Sequence, residues 1–256
     1  MLLDALRERI SDRRVLRLIV GWLKAGVLTE GVLLNPETGT PQGGVLSPLL
    51  ANVVLHRLDR RWQQYHRRLG VMVRYADDLV ILCPTGERAE TALAALEPIL
   101  AELGLKLARA KTRLVDLRDD GQGFDFLGFH HRRVESFTKK GRYFSARWPS
   151  SRAVAAARER IRYHTDRRLL FLPVREVVAN LNRFLVGWGI YYRRGNSTEV
   201  FHDLDCFAAD RVLRFTANKH GRRGRRHWGE FLDRNNYFGL HRMVGSVRHN
   251  AVHAVR

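Results

Sequence analysis

The sequence is poor in cysteine and in long apolar runs. Its 256 residues include two cysteines, Cys83 and Cys206, which at this separation predict neither a disulfide framework nor a zinc cluster. No apolar run approaches the ~20 residues of a membrane span, because charges, glycines or prolines interrupt each candidate. The first residues already carry Asp4, Arg7 and Glu8, unlike a secretory signal peptide. These absences predict a cytoplasmic protein with no membrane partner.

Negative charge is scarce in the second half of the chain. Residues 1–128 hold 18 Lys+Arg and 16 Asp+Glu, a net charge of +2, whereas residues 129–256 hold 27 and 10, a net charge of +17. Of the 45 cationic residues, 39 are arginine, whose planar guanidinium suits phosphate contacts and base stacking. The pattern predicts a nucleic-acid partner. A solvated arginine-rich surface that reflects a GC-rich genome is the alternative.

The first half of the chain mixes helix and strand patterns. Apolar residues recur at helical spacing over residues 1–30, after Ser47-Pro48, and over residues 86–104. Two apolar runs within residues 71–83 predict a buried β-hairpin. Further short strands are predicted at Leu105–Leu107 and Thr112–Leu117.

From Ser150 the pattern changes to amphipathic helix, and the segment after Gly221 repeats Arg-Arg around glycines. We therefore predict an α+β fold with a mixed domain at residues 1–148. A helical domain would follow at residues 149–220, and a basic C-terminal tail at residues 221–256.

Two adjacent carboxylates, Asp77 and Asp78, stand between the two runs of the predicted hairpin. Burying two like charges side by side is costly unless a cation neutralises them. Mg²⁺ prefers such oxygen ligands and would support phosphoryl transfer by two metal ions. The alternative is a solvated acidic turn of the kind that is expected for Asp119-Asp120 in the same sequence.

Four segments together resemble one known family. Tyr75-Ala76-Asp77-Asp78 resembles the signature of reverse transcriptases, and Thr40–Pro48 resembles the preceding palm motif of the group II intron enzymes. Phe126-Leu127-Gly128-Phe129 resembles their primer-grip hairpin, and Leu181–Arg193 is similar to the maturase region of group II intron-encoded proteins. The resemblance covers essentially the whole chain.

The resemblance implies a partial right-hand polymerase palm followed by an all-helical thumb or maturase domain. Asp77 and Asp78 would be the catalytic residues and would bind Mg²⁺, with Mn²⁺ as an alternative ion. The residues that would bind nucleotide and primer are Pro41, Gln42, Gly43, Tyr75 and Gly128.

Intron RNA would bind the maturase region mainly through phosphate contacts, which supply most of such affinity. The arginines and lysine expected to make these contacts are Arg183, Arg193, Arg194, Lys219, Arg222, Arg223, Arg225 and Arg226. The aromatic stripe of Trp188, Tyr191 and Tyr192 is expected to serve packing, because these residues share one helix face.

The implied function is RNA-directed DNA polymerisation combined with maturase activity in a prokaryotic cytoplasm. The implied partners are group II intron RNA, an RNA–DNA primer–template and deoxynucleoside triphosphates. Cys206 has no neighbouring cysteine, so the family's optional HNH endonuclease domain is not expected.

The family's third metal-binding acid, in a motif of the type Asp-x-x-x-Phe-Phe-Asp, has no counterpart upstream of Pro41, and neither do the fingers. Three explanations compete for this absence. The chain would be a truncated reading frame, one half of a split enzyme whose separate N-terminal fragment supplies the missing acid, or a non-catalytic RNA-binding maturase remnant. A reverse transcriptase of a defence or diversity-generating system is a further alternative, which the maturase-like region disfavours.

Overall fold

The computed structural model describes residues 2–24, 27–29, 32–34, 46–118, 121–136, 138–221 and 239–248. It contains two compact units, Met1–Leu114 and Val115–Arg256. Helices and antiparallel strands occur in both units, so the predicted mixed α+β class is confirmed. Within the described ranges, no helix is long and apolar enough to cross a bilayer.

The described residues of the first unit form four α-helices and two separate β-hairpins. In chain order its elements are α1 (Leu2–Arg7), α2 (Arg13–Lys24), β1 (Val27–Thr29), β2 (Val32–Leu34), α3 (Ser47–Arg61), β3 (Val71–Tyr75), β4 (Asp78–Leu82) and α4 (Gly86–Glu102). The pattern over residues 1–30, predicted as one helix, forms two helices and a strand. A new helix begins at Arg13 because the Asp12 carboxylate accepts the amide N–H of Arg14 at 2.7 Å and caps it.

The core of the first unit lies between α3, α4 and one face of the β3–β4 hairpin. Trp62, in a π-helical turn after α3, is buried and donates its indole N–H to the Gly70 carbonyl oxygen at 3.0 Å. The hairpin is half-buried rather than buried, which corrects the prediction. Val71, Val73 and Leu82 remain exposed, because the two helices cover one of its faces and nothing described in this unit covers the other.

The strands predicted at Leu105–Leu107 and Thr112–Leu117 are absent from the described structure. The backbone makes local turns instead, with the amides of Lys111 and Thr112 donating to the Ala108 carbonyl oxygen at 2.8 and 3.0 Å. The side chain of Leu107 packs against the core beside α4. Leu105 and Leu114 are exposed, so among the leucines at 105, 107 and 114 only Leu107 packs on this core.

In the second unit, the residues that the structure describes form a three-stranded antiparallel sheet and three α-helices. Its elements are β5 (Gly123–Phe126), β6 (Phe129–Glu135), β7 (Tyr143–Pro149), α5 (Ser151–His164), α6 (Val174–Tyr192) and α7 (Thr198–His220). The strands follow sequence order, as expected for short connections. The helical core is formed by the buried residues Ile161, Val178, Leu181, Leu185, Phe201, Leu204 and Val212.

The sheet β5–β7 belongs to the same compact unit as the helices. Ser150 caps α5, accepting the Ala153 amide at 3.3 Å, and its own amide donates to the Gly128 carbonyl oxygen at 2.8 Å. The predicted boundary near residue 148 marks where strand gives way to helix, but the compact units divide earlier, at Leu114. The division into functional domains at 148 and 220 stays a prediction.

Residues 239–248, within the predicted C-terminal tail, pack against the helices of the second unit. Met243 is fully buried, and the amide group of Asn182 binds this segment twice, to the Gly239 carbonyl oxygen and the His241 N–H. The buried Asp205 carboxylate accepts the amides of Met243 and Val244 at 2.9 to 3.1 Å. Burial raises the pKa of Asp205, and these hydrogen bonds oppose the rise. The segment is thus part of the helical core.

Candidate active site and nucleic-acid surface

The acid pair lies at the tip of the β3–β4 hairpin. Tyr75 pairs with Asp78 across the strands, so the connecting loop is the dipeptide Ala76-Asp77. Ala76 has φ +54°, a left-handed conformation that is uncommon for a residue with a side chain. Asp77 and Asp78 are both exposed. Tyr75, 65% exposed, shares a sheet face with Asp78 because directly paired residues project to the same side.

The exposure of the two acids changes the electrostatic argument for a metal. A buried pair would need a cation, whereas exposed carboxylates are already solvated. Their oxygens still form a donor set that suits Mg²⁺, which binds through one or two carboxylates plus substrate phosphates. In the described part of the chain, no three His, Cys, Asp or Glu side chains gather as a ready metal site. The hairpin therefore fits a metal ion whose coordination shell is completed by the substrate or by further ligands.

Arg74 holds the tip of the hairpin and was missed at the sequence level. Its side chain is 12% exposed and binds Asp59 of α3 with two nitrogens, Nε at 2.7 Å and Nη2 at 2.5 Å. The hydrogen bond to Asp59 raises the pKa of Arg74. Its Nη1 donates to the Ala76 carbonyl oxygen at 2.7 Å and to Asn52 Oδ1 at 2.9 Å. The available signal was an arginine at an inward position of an alternating strand, two residues after Met72.

A second strained turn joins β5 and β6. Phe126 pairs with Phe129, so the loop is Leu127-Gly128, with φ +50° and +77°. Two consecutive residues with positive φ are typical of a type I′ hairpin turn. Tyr191 of α6 donates its hydroxyl to the Leu127 carbonyl oxygen at 3.0 Å.

Gly128 faces a protein side chain. A Cβ at this position would lie 2.5 Å from Tyr192 Oη. The Tyr192 hydroxyl occupies the space where a side chain at this position would project, and the predicted role of Gly128 in nucleotide or primer binding stays a prediction. The glycine serves the packing of the β5–β6 turn against α6.

The aromatic stripe of α6 packs as expected. The rings of Trp188 and Tyr192 lie 4.4 Å apart, and Phe129 lies 4.8 Å from Tyr192 and 5.6 Å from Tyr191. Tyr192 is buried, and burial raises the pKa of its hydroxyl. These contacts give the stripe a structural role.

Replacing Gly128 with alanine should destabilise the second unit by roughly 1–3 kcal/mol, because the new methyl group meets Tyr192 and the left-handed backbone disfavours a side chain. Urea unfolding monitored by circular dichroism measures this. In a Tyr192→Phe background, which lacks the obstructing oxygen, the cost of Gly128→Ala should fall. An equal cost in both backgrounds would show that the hydroxyl contact is irrelevant.

The predicted RNA-contact residues fall into three groups. Arg183 and Arg194 are exposed, with Arg183 Nη2 donating to Asn180 Oδ1 at 2.5 Å. Arg193 is half-buried at the end of α6, where its carbonyl oxygen accepts the Arg248 amide at 2.8 Å. The ammonium group of Lys219 donates a hydrogen bond to the Leu170 carbonyl oxygen at 2.6 Å, which connects α7 to the loop after α5.

Several predicted residues lie outside the described residues and are not placed by the structure. They are Pro41, Gln42, Gly43, Arg222, Arg223, Arg225 and Arg226.

Helix α5 presents cationic residues that the sequence-based predictions omitted. The exposed arginines here and in the turn that follows are Arg152, Arg158, Arg160, Arg162, Arg167 and Arg168. The guanidinium of Arg160 lies 5.1 Å from the ring centroid of the exposed Tyr163. Burial, followed by the charges of Arg160 and Arg183, lowers the pKa of His164. The signal for this surface was the excess of arginine after residue 129.

Two family models match the chain. The model described as reverse transcriptase (RNA-dependent DNA polymerase) matches residues 8–131, and that described as the group II intron maturase-specific domain matches residues 154–230. The chain therefore joins a reverse transcriptase region to a maturase-specific domain. It belongs to the reverse transcriptase/maturase family of group II introns, as its motifs predicted.

Among curated proteins, the chain is similar to the group II intron-encoded protein LtrA of Lactococcus lactis subsp. cremoris, with 46% identity over 59 residues, 23% of this chain and 10% of LtrA. Protein YkfC of Escherichia coli is 32% identical over 175 residues, 56% of this chain and 44% of YkfC. The putative COX1/OXI3 intron 2 protein of Saccharomyces cerevisiae is 24% identical over 245 residues, 72% of this chain and 27% of that protein. The matches span less than half the length of each relative.

Proposed function

We propose that the chain acts as an RNA-directed DNA polymerase and maturase of the group II intron type. The observation that carries the proposal is the Tyr75–Asp78 hairpin, which presents two exposed carboxylates in a chain that also contains a maturase-specific domain. In this proposal the first unit contributes to a polymerase palm. The helices α5 to α7 form the thumb or maturase domain.

The reaction joins a primer 3′-oxygen to the α-phosphorus of a deoxynucleoside triphosphate and releases pyrophosphate. Asp77 and Asp78 would hold Mg²⁺, which when bound would promote deprotonation of the 3′-hydroxyl and offset charge on the leaving pyrophosphate. Tyr75 lies on the same hairpin face as Asp78 and offers an exposed ring for packing against the sugar of the primer end or nucleotide. Arg74 fixes the backbone that connects these side chains.

Binding of intron RNA would use the exposed arginines of α5, together with Arg183 and Arg194. Each phosphate contact releases counterions, so affinity should fall steeply as salt rises. The ring of Tyr163 beside Arg160 adds a surface on which an unpaired base can stack.

A non-catalytic maturase is the second candidate, because the described hairpin gathers two acids and no third. Polymerase activity would require further ligands for the metal ions, and a separate polypeptide fragment would have to supply them. In that case this chain alone would bind and fold intron RNA.

Two assays on the full chain separate these functions. Splicing of a group II intron precursor at low Mg²⁺ should accelerate when the protein is added, and an unchanged rate would contradict the maturase function. Primer extension on poly(rA)/oligo(dT) with Mg²⁺ should yield product if the chain polymerises by itself. Faster splicing without extension identifies the non-catalytic maturase.

A further inference from the structure

We infer that Arg74, held by Asp59 and Asn52 of α3, is a positioning residue that fixes the Ala76-Asp77 loop and so presents the two carboxylates of the hairpin. The inference rests on the proposed polymerase function for its consequence in catalysis. The fixing of the loop is a separate property of this chain and can be measured separately.

The backbone of the loop needs an external restraint. Ala76 has φ +54° in a connection of two residues, and a residue with a side chain occupies this region only when its surroundings enforce it. Among the described residues other than glycine, only Ala76 and Leu127 have positive φ. In both cases a side chain donates a hydrogen bond to that residue's carbonyl oxygen, from Arg74 Nη1 and Tyr191 Oη respectively.

The restraint on Ala76 is anchored to the core of the first unit. Three nitrogens of Arg74 are engaged at once, two with the carboxylate of Asp59 and one with Ala76 and Asn52. Asp59 and Asn52 lie on α3, whose Leu58 is fully buried in the core. A planar guanidinium that is bound in this way has little freedom, so it transmits the position of α3 to the loop.

The position of this restraint matters for the acids. The Ala76 carbonyl belongs to the peptide group that continues into Asp77, and Asp78 opens β4 directly afterwards. Removing the bond to this carbonyl frees the backbone that directs both carboxylates. Partners that orient a metal ligand typically change metal affinity or activity by 10–100-fold when they are lost.

The test uses Arg74→Lys in the full chain. Lysine keeps the charge but offers one nitrogen in place of three, so it cannot bind Asp59 and Ala76 as arginine does. Asn52→Ala is a second variant, chosen because Asn52 is exposed and its truncation spares the core. Arg88→Lys is the matched control, since Arg88 also donates to a backbone carbonyl, that of Arg68 at 3.2 Å, away from the loop.

The first measurement is the backbone order parameter of Ala76 and Asp77 by ¹⁵N relaxation. We expect ~0.85 in the wild type, a fall below ~0.6 in Arg74→Lys, and a smaller fall in Asn52→Ala. Arg88→Lys should match the wild type. An unchanged order parameter in a folded Arg74→Lys protein would overturn the inference, whether or not the chain polymerises DNA.

The second measurement is Mn²⁺ binding, followed by electron paramagnetic resonance with Mn²⁺ alone. Arg74→Lys should weaken binding by 10-fold or more, with a matching fall in kcat for primer extension and little change in the KM for nucleotide. If the loop of Arg74→Lys becomes mobile but the variant binds Mn²⁺ with wild-type affinity, the inference that Arg74 positions the two carboxylates is wrong. A wild-type chain that binds no Mn²⁺ would refute the proposed metal site, while the order parameters would still decide the role of Arg74.

Discussion

Asp77→Asn should lower primer extension by more than about 100-fold, because loss of an outer partner of a metal ligand alone costs 10–100-fold and this change removes a ligand itself. The side chain is exposed at the hairpin tip, so the substitution should leave the fold intact. Initial rates of nucleotide incorporation with Mg²⁺, at matched protein concentration and with any separate fragment the reaction needs, measure the effect.

Two comparisons make this result specific. Glu90→Gln removes an exposed carboxylate from α4, away from the tip, and should retain wild-type rates. Stimulation of splicing by Asp77→Asn should equal that of the wild type, because RNA is expected to bind through the arginines of the second unit. A variant that still extends primers at the wild-type rate would remove Asp77 from the active site.

Met243→Ala should destabilise the second unit by roughly 2–5 kcal/mol, the usual range for truncating a large buried side chain. Met243 is fully buried and packs in the cluster formed by α5, α6 and α7, beside Gly189. Chemical denaturation followed by circular dichroism or tryptophan fluorescence gives the free energy of unfolding.

The matched control for Met243→Ala is Ile190→Ala, a truncation on the exposed face of α6. It should change the free energy of unfolding by less than about 0.5 kcal/mol. If Met243→Ala were equally mild, residues 239–248 would not stabilise the helical core, and the segment would be a tail as the sequence-based prediction had it.

The strand–loop–strand pattern around Asp77-Asp78 and the helical repeats after Ser150 were predictable because each depends on local order. Alternation of apolar residues defines a strand, and a spacing of three to four defines a helix. The same local reasoning failed at Leu105–Leu107 and Thr112–Leu117, where the backbone forms no strand pairing although the sequence contains short apolar runs. A strand exists only where another strand satisfies its backbone, and no local pattern shows whether one does.

The candidate site was predictable in its residue types and not in its environment. The sequence shows that Asp77 and Asp78 are adjacent. Their exposure, however, depends on which face of the hairpin is covered by α3 and α4. The segment around Gly128 was expected to form a hairpin, but its turn at Leu127-Gly128 was not predicted, and the neighbour of Gly128, Tyr192, lies 64 residues away along the chain. The hydrogen bond of Lys219 to the Leu170 carbonyl oxygen, 49 residues away along the chain, could not be predicted locally either, and its expected phosphate contact stays a prediction.

By itself, the sequence determined the mixed fold class, the acid pair, the positive charge of the second half and, through its motifs, the family. These properties are carried by composition and by residues close together along the chain. The tertiary structure alone decided that Arg74 clamps the acidic loop to α3, that Tyr191 and Tyr192 hold the turn at Leu127-Gly128, and that Met243 completes the helical core. The physical reason is that hydrogen bonds and burial between distant segments depend on how the elements pack, which local periodicity does not encode.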